Sequence, residues 1–229
     1  PIEVLLWESN SESPNFHDHA PNEHIVVPVA NPAGAQSMVV TFGYFDAGND
    51  WWWAIDNVQV AIGPTQPAPV PSSEGFSSLV LGPNVDEALA GDAVWTKTAP
   101  AGWTIDDSGV PGVGIPDQDG VTEWAGWSFA DKDWWAEATG DQRRSEFTKA
   151  SGTIAIADGD EWDDQPHAEG YLDTFMSWPL DVSGAGGALE LHFDSSWRPE
   201  YDSNYHQTAN ITVSFDGGEP VEVMLWESN

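Results

Sequence analysis

The chain has 229 residues, no cysteine, 14 tryptophans and a formal net charge of −32, from 38 Asp and Glu against 6 Lys and Arg. Such a charge repels nucleic acid phosphates and anionic lipid, which excludes nucleic-acid binding, and no apolar run is long enough to predict membrane insertion. So much aromatic surface, with 22 Gly and 17 Pro, demands a packed all-β core instead of disorder or a helical bundle.

In chain order, the sequence opens on "PIEVLLWESN" and closes on "PVEVMLWESN". Pro1 to Asn10 and Pro220 to Asn229 differ only at Ile2/Val221 and Leu5/Met224, both apolar exchanges within a strand-like stretch. Strands are predicted at "HIVVPV" from His24, "SMVVTFGYF" from Ser37 and "AIDNVQVAI" from Ala54. "PTQPAPVPSS" has no periodicity and no charge, so it reads as an extended linker. A short helix with a break at Gly140 fits Asp131 to Phe147, followed by strands at "GTIAIA" from Gly152 and "LDTFMSW" from Leu172. "GALELHFD" places Leu189, Leu191 and Phe193 on one face, and "ANITVSFD" does the same with Ile211, Val213 and Phe215. The "DGG" at Asp216 to Gly218 turns the latter strand into "VEVMLW" as an antiparallel hairpin.

The two decapeptides lie 219 residues apart, which suggests a repeating unit of that length whose frame is cut inside a domain. Residues 1–63 then form the C-terminal portion of a β-sandwich, 64–74 the linker and 75–229 the N-terminal portion. With no initiator Met and no basic-then-apolar leader, the sequence reads as a mature or excised segment. Acidity without basic compensation suits a medium rich in salt or calcium and predicts an extracellular or cell-surface setting.

Several groups of residues invite chemistry. Calcium takes six to eight hard oxygens, and the "DAGND" loop offers Asp46, Asn49 and Asp50 near Asp56, although an acidic hairpin loop would look the same. "DGDEWDD" offers Asp158, Asp160 and Glu161, or else a solvated acidic turn. Trp51 to Trp53, Trp134 and Trp135 could stack on sugar rings or on protein, since consecutive strand residues face opposite ways and not all can be core. His17 and His19, with His24 nearby, form a histidine group without a convincing third ligand. Nothing assembles a nucleophile with its base, so no enzymatic activity is expected.

"DAGNDWWWAIDNVQV" (Asp46 to Val60) resembles the closing strand, and "EGFSSLVLGPNV" (Glu74 to Val85) the opening strand, of the galactose-binding-like and MAM-like jelly-roll sandwiches of secreted bacterial proteins. "GWTIDDSGVPG", "EWAGWSFADKDWW", "IAIADGDEWDD" and "FDSSWRPE" together resemble a Trp-rich acidic module appended to such proteins, some of them metallophosphoesterases. The resemblance implies an antiparallel jelly-roll β-sandwich that is calcium-stabilised, non-catalytic and used for adhesion, carbohydrate contact or architecture. It also implies a structural calcium joining Glu74 to Asp56. The order departs from the family, because the closing strand precedes the opening one, so the chain is either circularly permuted or shares sandwiches with neighbouring copies. If copies share sandwiches, Glu74 and Asp56 meet across them.

Two expectations follow. The first is an extracellular structural or adhesive protein whose copies join head to tail, as a tandem array or a strand-exchanged filament, through Val4, Leu5, Leu6 and Trp7 and through Val223, Leu225 and Trp226. The second is a carbohydrate-binding module that tethers an enzyme to polysaccharide through exposed tryptophans.

Overall fold

The computed structural model describes residues 13–62, 72–201 and 206–228. The first decapeptide, with Val4, Leu5, Leu6 and Trp7, and nearly all of the Pro-rich stretch lie outside them. The early strands are β1 (Ala20–Ala30), β2 (Ser37–Ala47), β3 (Trp52–Ile62), β4 (Ser72–Glu74), β5 (Gly82–Pro83), β6 (Ala93–Thr96) and β7 (Thr104–Asp106). The later ones are β8 (Ser128–Asp131), β9 (Thr153–Asp158), β10 (Leu172–Asp181), β11 (Ala188–Arg198), β12 (Thr208–Phe215) and β13 (Val221–Glu227). Two short helices, α1 (Lys132–Ala138) and α2 (Gly159–Trp162), complete the elements used below.

The strands form two antiparallel sheets, one in the order β1-β11-β3-β9-β8-β6-β5 with β4 alongside β3, the other β13-β12-β2-β10-β7. This is the all-β sandwich that composition and alternation predict. Met38, Val40, Phe42 and Tyr44 of β2 are buried, as are Leu189, Leu191 and Phe193 of β11. Phe42 meets Phe193 edge-on at 5.8 Å and Trp53 at 6.0 Å, so the core lies between the sheets. Such aromatic contacts each add about 0.5–1.5 kcal/mol beyond the area they bury.

Strands from before and after the Pro-rich stretch share both sheets. β3 lies between β11 and β9, and β2 lies between β12 and β10. Within this one chain, the two portions that the sequence separates complete a single pair of sheets.

Two tryptophans of the "WWW" run are core because β3 is central and covered on both faces. Trp53 points between the sheets against Phe42, Phe193 and Trp226. Trp52 points the other way, against Trp135 of α1 and the Arg144 guanidinium. Each indole N–H is satisfied on the neighbouring strand: Trp52 Nε1 donates to Ser196 Oγ and Trp53 Nε1 to Ser195 Oγ, both at 3.1 Å. The predicted helix is shorter than its sequence window. Asp131 caps α1 by accepting from the Asp133 and Trp134 N–H groups, and Gly140 at φ +70° ends it. Asp141, Gln142 and Arg143 then turn left-handed into a single 3-10 turn at Arg144–Glu146.

Candidate functional site

The site that bears most directly on the duplicated decapeptide is the open edge of the five-stranded sheet. There β13 pairs with β12 through Thr208 with Glu227, Ala209 with Trp226, Asn210 with Leu225 and Ile211 with Met224. The turn that feeds it puts Asp216 and Gly217 at φ 51° and 72°, which suits an Asp-Gly hairpin. The Asp216 carboxylate fixes that turn by accepting from the backbone N–H groups of Gln36 and Ser37, both at 2.9 Å. These bonds hold the Asp216 carboxyl below its ordinary pKa.

A bulge at Val223 lets two successive side chains, Val223 and Met224, turn inward. Trp226 is 1% exposed, stacks on His17 at 4.1 Å and reaches Trp53 and Trp197 of the opposite sheet. Leu225 is half-buried on the outer face. The Glu227 N–H donates to Asn15 O at 3.0 Å, and its carbonyl accepts from the His17 N–H at 3.2 Å. Its carboxylate accepts from Ser13 Oγ and from Asn15 Nδ2. Ser228 closes the end, donating its N–H to Gln207 O at 2.9 Å while its Oγ accepts from Gln207 N at 2.7 Å.

All of those β13 contact residues except Met224 recur in the first decapeptide. Val4, Leu6, Trp7, Glu8 and Ser9 correspond to Val223, Leu225, Trp226, Glu227 and Ser228. The two differences fall where they cost least. Val221, replaced by Ile2, is 58% exposed, and Met224 to Leu5 is a volume-conserving core exchange.

The predicted metal ligands separate into three places. Asp158, Asp160 and Glu161 converge on a side chain that the motif reading missed, the fully buried Arg144. Its Nη2 lies 3.0 Å from Asp158, 3.2 Å from Asp160 and 2.9 Å from Glu161. Asp158 also accepts from Trp135 Nε1 at 2.8 Å and caps α2. Burial alone would lower the Arg144 pKa, but the three carboxylates outweigh it and raise it. Burial and the nearby Asp158 push Glu161 up to about 9, and burial followed by Asp158 pushes Asp160 up to about 6. The cation these acids surround is therefore a guanidinium.

In the "DAGND" loop, Asp46 and Asn49 are exposed while Asp50 is 1% exposed. Asp50 Oδ2 accepts from the Gly48 N–H at 2.6 Å, Oδ1 has no protein partner, and burial pushes the group up to about 6. Asp56 and Glu74 do come together, and within this chain, because β4 pairs with β3 and sets Glu74 opposite Val58. They line a cavity of about 270 Å³ with Asn57, Phe76, Ser77 and Ser151. The Asp56 oxygens accept from Asn57 N at 2.7 Å and Ser151 N at 3.2 Å, and Glu74 accepts from Phe76 N at 2.7 Å. Burial nevertheless pushes Asp56 up to about 6, with Asp194 and Glu74 adding to it. Two carboxylates and further hard oxygens, with no Lys or Arg among the described residues that line the cavity, suit calcium in donor chemistry. Among the described residues no three His, Asp or Glu side chains converge in an arrangement that holds a metal ion.

The tryptophans singled out for stacking are engaged with protein. Trp135 is fully buried, and Trp134 lies parallel to Trp124 at 5.7 Å. Trp51 is half-buried, with the Arg198 guanidinium 3.2 Å above its ring. The histidines part company: His17 pairs with Glu23 at 2.9 Å, His24 pairs with Asp194 at 2.8 Å, and burial beside Arg143 and Arg198 pushes His19 down to about 4.

No protein-family model, no curated protein and no solved structure matches this chain.

Proposed function

We propose that this chain is a non-catalytic structural or adhesive module of the jelly-roll kind, whose copies join in series, head to tail, through the decapeptide at the β13 edge. The observation that carries the reading is that the strand filling the edge beside β12 occurs a second time in the sequence, at Pro1 to Asn10. In a series with a period of 219 residues each sandwich has one slot and each junction one decapeptide, so slots and strands match. A chain with both copies has one strand too many, carrying Val, two further apolar residues and Trp, and that surplus needs cover.

Exchange of identical strands leaves the number of filled slots unchanged. Association must therefore come from covering the surplus strand, and the outer edge of β13 is the surface that can do so. Among the described residues, only Asn15 to His17 pair with that edge, and only at Glu227. Strand addition there is heterologous, since one copy offers the edge and the next offers the strand, and a heterologous contact propagates.

Calcium between Asp56 and Glu74 would cross-link β3 to the chain that enters at β4, and a net charge of −32 favours an extracellular medium that supplies such cations. The circular order of the fold supports permutation: Ser13 to Phe16 lie against Glu227, where the strand of the other end finishes. A carbohydrate-binding role draws less support, because Arg198 covers Trp51, and Trp134 and Trp135 pack on other tryptophans.

The test is electron microscopy of the native material with calcium and after chelation. Filaments with an axial repeat of one sandwich, loosened by chelation, are the expected result. Monodisperse single sandwiches that retain a polysaccharide would refute it.

A further inference from the structure

We propose that Pro1–Asn10 is an alternative occupant of the slot now filled by β13, and that it can enter in cis, leaving Val221–Glu227 as the strand offered to a second copy. This deepens the reading above and rests on the same slot.

Three observations carry it. The first is the match of contacts. The side chains that fix β13 are the inward Val223 and Trp226, the Glu227 carboxylate on Ser13 and Asn15, and Ser228 on Gln207. All four are repeated as Val4, Trp7, Glu8 and Ser9. Only Met224, replaced by Leu5, differs at a buried position.

The second is reach. Ser13 and Asn15 are bonded to Glu227 at the end of the slot. With Glu8 in the place of Glu227, the chain has Ser9, Asn10, Ser11 and Glu12 in which to turn back to Ser13. Those five Cα steps span up to roughly 17 Å extended, well beyond what two side chains in hydrogen-bond contact require. The segment just after the first decapeptide is thus already docked where that decapeptide would end.

The third is the way β13 is held. It enters through a two-residue turn from β12 and, apart from Glu227, is paired on one side only. Its departure breaks one ladder and opens one hairpin without disturbing β12, which stays paired with β2. In a series of copies the same decapeptide closes one sandwich from behind, as β13 does here, or the next from in front. The junction strand is therefore contested by its two neighbours.

The chain has no cysteine, so a disulfide trap reads the occupant directly. Asn210 and Leu225 face each other across the ladder and both side chains are half-buried. In the full chain, the control N210C/L225C reports β13 in the slot and N210C/L6C reports Pro1–Asn10, each equilibrated in a thiol redox buffer and read on non-reducing gels. The expected result is an intramolecular N210C/L6C bond. In N210C/L6C/L225C, mass spectrometry should find the two bonds partitioned within about tenfold, as near-equivalent contacts imply. If N210C/L6C links only between chains, entry in cis is overturned while joining in series stands. If it forms no bond where the control forms one fully, Pro1–Asn10 does not use the slot and this inference falls. The reading in series is then decided separately, by whether the full chain associates.

Discussion

Arg144 is the residue whose loss should be felt most. It is fully buried, holds Asp158, Asp160 and Glu161, and lies 4.3 Å above the Trp52 ring. Removing one partner of such a cluster strands the others, and R144L should cost about 3–5 kcal/mol in denaturant unfolding. The cost should also depend on pH. Burial already holds the Asp160 and Glu161 carboxyls above their unfolded pKa values, and loss of the cation that opposes this raises them further, so they favour the fold when protonated and oppose it as pH rises through those values. R144L should therefore be closer to the parent at pH 5 than at pH 8, and an equal deficit at both would contradict this assignment. Asp56 offers a second test. Calcium should raise the melting temperature of the parent chain and D56N should abolish that rise; no rise in the parent, or an undiminished one in D56N, would contradict a calcium site at Asp56. The acidic run that holds Arg144 was legible in the sequence only as a candidate cation site, because nothing in "DGDEWDD" reveals which cation arrives from Arg144, fourteen residues before Asp158.

At the scale of elements, the β13 slot makes an unusual prediction about additivity. Truncating a buried Trp to Ala ordinarily costs about 3–5 kcal/mol. W226A should cost less than that, because Pro1–Asn10 brings Trp7 to the same place. W7A should cost little, and the double variant should lose more than the two single losses combined. Strict additivity in urea titrations would mean that the two strands do not exchange. Most strands could be read in advance from period-two alternation, as Leu189, Leu191 and Phe193 show by their complete burial. Alternation allows at most one or two of Trp51 to Trp53 in the core and does not say how many. Trp52 and Trp53 are both core because α1 and Arg144 cover the outer face of β3, a tertiary fact with no local signature. The helix and its break at Gly140 were legible, but the left-handed Asp141 to Arg143 that turn the chain to deliver Arg144 were not.

For the whole molecule, six cationic side chains stand against 38 acids, and not all of the six are at the surface. Arg143 and Lys149 are exposed, but Arg144 is interior, and Lys97 is held by Asp107 and the carbonyls of Ala125 and Trp127. Burial lowers the Lys97 pKa even so. The surface is therefore strongly acidic, and self-repulsion should be relieved as the Debye length falls from about 30 Å at 0.01 M salt to about 8 Å at 0.15 M. The melting temperature and the tendency to associate should both rise over that range, whereas a fall in either would point to attractive surface pairs. The duplicated decapeptide was the feature most legible in the sequence. The slot was not, since only the pairing of β13 with β12 shows where the second decapeptide sits. Joining in series through that place is the central claim, and the most direct test is sedimentation equilibrium of the intact chain at physiological salt with calcium, over a wide concentration range. Masses that climb through multiples of 24.8 kDa with concentration are predicted, and a constant 24.8 kDa throughout would contradict the claim.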